Sequence, residues 1–90
     1  MLRIERSANG PVVFTLCGRM QTEDIPQIEQ LLAAEPPGQK LSFDLWDVTL
    51  VNQDVVTFFA DCEAAGIKLD NCRLYIRNWI GQEKRRKGGR

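Results

Sequence analysis

Apolar and polar residues recur along this chain with two different periods, and each period predicts a different kind of element. Leu2 to Arg6 alternates apolar and charged side chains, and Pro11 to Cys17 is rich in β-branched and aromatic residues. Both segments are therefore predicted as strands. Between them, Ser7 to Gly10 contains Asn-Gly, the dipeptide most typical of hairpin turns. We expect an antiparallel hairpin whose second strand ends at Gly18.

The remaining apolar positions predict three helices separated by two short strands. The helical period occurs in Thr22 to Ala34, Asp54 to Ala65 and Leu74 to about Glu83. Lys40 to Trp46 and Ile67 to Cys72 lie between them and are predicted as strands. The order β-β-α-β-α-β-α predicts an α/β fold with a mixed sheet of about four strands and three helices on one face. The other face would stay open to a partner, and a homodimer is one of the options.

Length and charge predict one domain followed by a basic tail. The chain has 90 residues, of which 43% are hydrophobic, enough for a single modest core. Residues 84 to 90 contain five bases and no acid, whereas residues 1 to 83 have a net charge of −5. We predict a domain over residues 1 to 83 and a flexible, solvated tail over residues 84 to 90. Nucleic acid is not the expected partner.

The composition argues against an enzyme, a metal site and a cofactor. The chain has no histidine, which removes the commonest general base and metal ligand. Its three cysteines are far apart and form no CxxC pattern, which favours a reducing compartment such as the cytoplasm. No apolar run is long enough to span a membrane, and charges interrupt the amino-terminal residues where a signal peptide is apolar. Asp44 and Asp47 are paired carboxylates, but no nucleophile or base accompanies them.

Three side chains have alternative interpretations that the sequence leaves open. Cys17 and Cys62 are predicted as small buried hydrophobes rather than redox groups. Trp46 should point to the sheet face opposite Leu45. There it is either covered by the loop at residues 36 and 37, which is the favoured interpretation, or exposed as an interface anchor.

The junction between the third predicted strand and the second helix is the strongest candidate site. A helix N-terminus presents unpaired backbone N–H groups. Asn52 is a good N-cap residue there, and Asp54 is a favourable acid in the first helical turn. Helix capping alone explains these residues, and capping combined with docking of a partner explains them equally well.

Three short motifs resemble the STAS domain, the module of anti-sigma factor antagonists and of the cytoplasmic tails of sulfate transporters. Leu16 to Met20 resembles the family's L-x-G-x-ϕ exit from its second strand, where ϕ is apolar. Phe43 to Val51 resembles its ϕ-D-L-x-x-V-x-ϕ-ϕ strand and loop, and Ala65 to Leu69 resembles its helix-end glycine and following strand. The resemblance covers roughly residues 2 to 80. It implies a non-enzymatic, cytoplasmic bacterial protein of signalling and transcription regulation.

The resemblance also implies a docking site and a missing switch. In antagonists of this family the turn before the second helix reads D-S-x-G, and a partner kinase phosphorylates its serine. Gln53 stands at that position here and has no hydroxyl. The partner-binding residues implied by the family are Val51, Asn52, Gln53, Asp54 and Val55, and the partner is an anti-sigma factor or a kinase-like regulator. The alternative is a sensory or scaffold subunit that binds a nucleotide or another anionic ligand at the same helix N-terminus.

Overall fold

Four strands and three α-helices form the fold over the part of the chain that the structure describes. The computed structural model describes residues 2 to 88. The strands and helices, in chain order, are β1 (Arg3–Ala8), β2 (Val12–Arg19), α1 (Ile25–Ala33), β3 (Leu41–Leu50), α2 (Gln53–Ala64), β4 (Lys68–Asp70) and α3 (Leu74–Gly88).

The four strands form one mixed sheet in the spatial order β1-β2-β3-β4. The hairpin strands β1 and β2 are antiparallel, whereas β3 is parallel to both β2 and β4. Gly10, which lies in the hairpin turn, has a φ of 92°, a conformation that favours glycine. The predicted α/β fold with a four-stranded mixed sheet and three helices is therefore confirmed.

The hydrophobic core lies between one face of the sheet and the helices. Phe43 occupies its centre on β3, with its ring centroid 6.2 Å from that of Phe14, 6.4 Å from that of Phe58 and 6.1 Å from that of Phe59. Each helix contributes fully buried side chains to the same cluster, among them Ile28 from α1, Val55 and Phe59 from α2, and Ile76 and Ile80 from α3.

The opposite face of the sheet is polar and open. Thr15 lies at its centre between Glu5 of β1 and Asp44 of β3 in the strand register. Cys17, also on this face, is half-buried rather than buried as predicted, because no helix covers it. The prediction of a buried side chain is confirmed for Cys62, which packs in the core.

Two elements extend further than their sequence patterns predict. β3 continues to Leu50, four residues beyond Trp46, because it stays paired with β2 through two register shifts. α3 continues to Gly88 instead of ending near Glu83. Lysine and arginine, which follow Glu83, are good helix formers, and Lys84 pairs with Glu63 of α2. Residues 89 and 90, the end of the predicted flexible tail, lie outside the described residues.

The end of α2 follows the sequence signal closely. Gly66 has a φ of 98° immediately after the helix, which confirms it as the residue that terminates α2. The Ile67 N–H donates to the Cys62 carbonyl at 3.0 Å and the Gly66 N–H donates to the Glu63 carbonyl at 3.1 Å. This pair of bonds is the Schellman motif, and it directs the chain back into β4.

Candidate functional site

The Asn52 side chain holds the turn between β3 and α2 in its conformation. Asn52 has extended backbone angles, and its side-chain oxygen accepts a hydrogen bond from the Val55 N–H at 3.0 Å. Asn52 is therefore the N-cap of α2, as its residue type predicts.

A hydroxyl from a distant part of the chain joins this turn. The Asn52 amide donates to Thr22 Oγ1 at 3.0 Å, and that hydroxyl donates to the Asp54 carboxylate at 2.8 Å. Thr22 lies in a short 3-10 turn, Thr22–Asp24, that precedes α1. Its hydroxyl thus bonds residues at the start of α2 and not the helix that Thr22 precedes. The contact holds the 3-10 turn against the start of α2.

Replacing Asn52 with alanine should lower the free energy of unfolding by about 1 to 2 kcal/mol, because α2 loses its cap and Thr22 loses a donor. Urea denaturation followed by circular dichroism measures this change. Asn52→Ser is the matched control, since serine also caps helices and should restore most of the loss. Equal stability of Asn52→Ala and the wild type would contradict the capping role.

Gln53 is turned towards α3 instead of standing free in the turn. Its amide donates to the carboxylate of Glu83, and its carbonyl oxygen accepts from the Trp79 indole N–H at 3.3 Å. Thr57, one turn further along α2, donates to the other oxygen of Glu83 at 3.3 Å. We call Gln53, Thr57, Trp79 and Glu83 the interhelix cluster. Glu83 is buried, so this cluster supplies the hydrogen bonds that its carboxylate requires.

The five residues predicted to bind a partner separate into two groups in the structure. Val51 is buried, and Val55 has no exposed surface at all. Both belong to the core, so the side chain of Val55 is unable to touch a partner. Asn52, Gln53 and Asp54 are exposed and lie consecutively at the start of α2. The surface part of the predicted site is therefore limited to these three residues.

A groove of about 210 Å³ adjoins the turn. It is lined by residues at and just after the ends of β2 and β3 and by one residue of the 3-10 turn, namely Arg19, Met20, Gln21, Glu23, Leu50, Val51 and Asn52. A larger groove, of about 800 Å³, lies where β3 and β4 begin and includes Lys40, Lys68 and Asp70 in its lining. Of these two grooves, the smaller one includes the predicted site residues Val51 and Asn52, and it extends their surface towards β2.

Four large apolar side chains are exposed together beside the carboxyl end of β3. Trp46 is 59% exposed, Leu50 54%, Leu74 75% and Tyr75 46%. We call these four residues the apolar patch. Trp46 is thus exposed, which was the less favoured of the two sequence interpretations. Nothing in the apolar periodicity of α3 singles out Leu74 or Tyr75, because the pattern marks only the buried side of that helix.

Side chains from the start of α3 hold the patch in place. The Arg73 guanidinium lies over the Trp46 ring, 5.1 Å from its centroid, and its Nε donates to the Trp46 carbonyl at 2.9 Å. The Tyr75 hydroxyl donates to the Thr49 carbonyl at 3.2 Å. β4 pairs with residues 42 to 44 of β3. Beyond that point, the side chains of Arg73 and Tyr75 bond the backbone of β3 in place of a neighbouring strand.

The groups with potential for chemistry have structural roles. Asp44 accepts from the Trp46 N–H at 3.1 Å and from the Asn71 amide at 3.3 Å, which fixes the bend after β4. Burial raises the pKa of the Cys62 thiol to about 12, and the nearby carboxylates of Asp61 and Glu29 act in the same direction. Within residues 2 to 88, no group of three or more potential ligands could hold a metal ion. No helix described over this range could cross a bilayer.

Comparison with known proteins assigns no family or function to this chain. Models of known protein families give no match to this chain, and curated proteins give no significant match.

Proposed function

We propose that this protein is a non-enzymatic, protein-binding regulatory module similar to an anti-sigma factor antagonist of the STAS family. Its docking surface consists of Asn52, Gln53 and Asp54 at the start of α2, together with the adjoining groove. The partner is an anti-sigma factor or a kinase-like regulator in the bacterial cytoplasm. The single observation that carries this proposal is the exposure of three consecutive polar residues on a rigid turn beside a groove.

The structure of the turn supports a preformed docking surface. Asn52 is bound to both α2 and Thr22, and Asp54 is bound to the same hydroxyl. A surface whose side chains are already ordered loses little conformational entropy when a partner binds. Arg19 and Glu23 place a positive and a negative charge at the groove. Complementary charges on a protein partner would make binding at this groove specific.

Control of this surface differs from control in the family that the chain resembles. Gln53 lacks a hydroxyl, and its amide group is already bound to Glu83 and Trp79. A phosphate would add about −1.5 to −2 charges at a helix N-terminus, and Gln53 is unable to accept one. We therefore propose a docking turn whose state is not set by phosphorylation of that position.

The binding of a nucleotide or another anion at the same helix N-terminus has less support. The Val55 N–H is occupied by the Asn52 side chain. Asp54 places a carboxylate in the first turn, where it repels an incoming anion. The observations therefore favour a protein partner.

Capture of the partner from the native host with quantitative mass spectrometry tests the proposal. The Asp54→Arg variant should capture at least about tenfold less partner than the wild type, because it reverses a charge on the docking surface. Glu29→Arg, a charge reversal on exposed α1, is the matched control and should retain binding.

Two outcomes would contradict this function. One is a partner that binds wild type, Asp54→Arg and Glu29→Arg equally well, since the turn would then have no part in docking. The other is a partner whose capture is lost with Glu29→Arg and kept with Asp54→Arg, since docking would then involve α1 and not the turn.

A further inference from the structure

We infer that the apolar patch is the contact surface of a symmetric homodimer, in which Arg73 of each copy faces Asp47 of the other. This inference does not depend on the proposed function, although Leu50 of the apolar patch also lines the groove beside the docking turn. Trp46 and Leu74 form the centre of the contact, and the two charged residues lie beside Trp46.

The first argument is the composition of the patch. Tryptophan, tyrosine and arginine are the residues most enriched at the energetic centres of protein interfaces. Trp46, Tyr75 and Arg73 occur here together, and Arg73 is stacked on the Trp46 ring. Within the described residues, the four exposed large hydrophobic side chains are Trp46 and Leu50 of β3 and Leu74 and Tyr75 of α3. Contacts of Arg73 with Trp46 and of Tyr75 with Thr49 bring these two elements together, and exposed apolar side chains that lie near one another mark an interaction site.

The second argument is the rigidity of the patch. Trp46 is held by the Arg73 stack and by the bond from Arg73 to its carbonyl, and Tyr75 is bound to the Thr49 carbonyl. Side chains that are already ordered lose less conformational entropy on association. The patch is therefore prepared for contact before a partner arrives.

The third argument identifies the partner as a second copy. Arg73 makes no ion pair with any carboxylate of the described residues, where its contacts are the Trp46 ring and carbonyl. Asp47, the residue after Trp46, makes no ion pair within the same range, and its contact is the Cys17 thiol at 4.0 Å. Arg73 and Asp47, both beside Trp46, are thus a cation and an anion that form no ion pair among the residues that the structure describes. A two-fold contact presents the same surface from both sides, so each cation meets an anion.

Strand addition is disfavoured as the mode of contact. The carbonyls of Trp46 and Thr49, beyond the part of β3 that pairs with β4, already accept hydrogen bonds from Arg73, just before α3, and from Tyr75 of α3. The contact is therefore made by side chains. A stable interface covers about 800 Å² on each partner, more than the four apolar residues expose, so it extends over the polar rim that includes Asp47 and Arg73.

Analytical ultracentrifugation of the full chain from about 1 μM to about 1 mM tests the inference. The wild type should shift with concentration from the monomer mass of 10.3 kDa towards twice that value. Leu74→Ser, which removes the most exposed apolar side chain, should weaken association by about tenfold or more. Glu29→Arg on α1 is the control and should associate like the wild type.

Charge exchange then tests the pairing itself. Arg73→Asp and Asp47→Arg should each weaken self-association by about tenfold or more, because each places like charges opposite one another. An equimolar mixture of these two variants should form a heterodimer that restores the wild-type affinity, and so should the chain that carries both substitutions. Circular dichroism shows that each variant is folded.

Two results would overturn the inference. If the wild type stays monomeric up to about 1 mM, the apolar patch is not the contact surface of a homodimer and a different protein is its partner. Dimerisation that Leu74→Ser leaves intact, or that the mixed charge variants fail to restore, places the interface on another surface.

Discussion

Replacing Phe43 with alanine should lower the free energy of unfolding by about 3 to 5 kcal/mol. The Phe43 side chain is completely buried, and its ring contacts three other phenylalanines, one from β2 and two from α2. The substitution removes apolar contacts and leaves a cavity that the surrounding strands and helix are unable to fill. Domains of this size are stable by about 5 to 15 kcal/mol, so the variant should be partly unfolded on moderate warming.

Urea denaturation monitored by circular dichroism measures the loss. Glu29→Ala is the control, because Glu29 is exposed on α1 and its truncation should change stability by less than about 0.5 kcal/mol. A Phe43→Ala variant as stable as this control would mean that Phe43 is not at the centre of the core.

Raising the pH above 9 should destabilise the protein through Cys62 by about 1.4 kcal/mol per pH unit, up to about pH 12. Burial raises the pKa of the Cys62 thiol from its usual 9.0 to about 12. Above pH 9 the unfolded chain loses this proton while the folded chain keeps it, which favours unfolding. The contribution is fully present below pH 9 and disappears as the pH rises through the folded pKa.

The difference in unfolding free energy between the wild type and Cys62→Ala isolates this effect from other groups that titrate in the same range. That difference, wild type minus variant, should stay constant from pH 7 to about pH 9. Above pH 9 it should decrease steadily, because the wild type loses stability through Cys62 and the variant does not. A difference that remains constant up to pH 11 would show that the thiol ionises equally in both states.

The order of the elements follows from the sequence because each signal is local. Gly66 ends α2, Asn52 begins it, and Asn9-Gly10 closes the hairpin, all through conformations of a few neighbouring residues. The end of β3 was missed because its last residues depend on pairing with β2, which the alternation of residues in β3 alone does not show. The end of α3 was missed for a similar reason, since Lys84 contacts Glu63 on a different helix.

The candidate site was only partly accessible to sequence reasoning. Asn52, Gln53 and Asp54 were placed correctly at the start of α2, because capping residues occur at fixed positions relative to a helix. Their partners were not predictable, since Thr22 and Glu83 are each about 30 residues away in the chain. Long-range hydrogen bonds between polar side chains leave no periodic signal. Whether the turn binds a partner, and whether the chain is related to the STAS family, stay predictions.

The unequal lengths of β3 and β4 have a consequence for solubility. β4 covers only three residues of β3, and an uncovered strand edge is a template on which other chains can polymerise into cross-β aggregates. Arg73 and Tyr75 occupy the carbonyls of Trp46 and Thr49 along that edge, so it offers fewer acceptors to an incoming strand. Arg73, just before α3, and Tyr75 of α3 therefore make this edge a poorer template for aggregation.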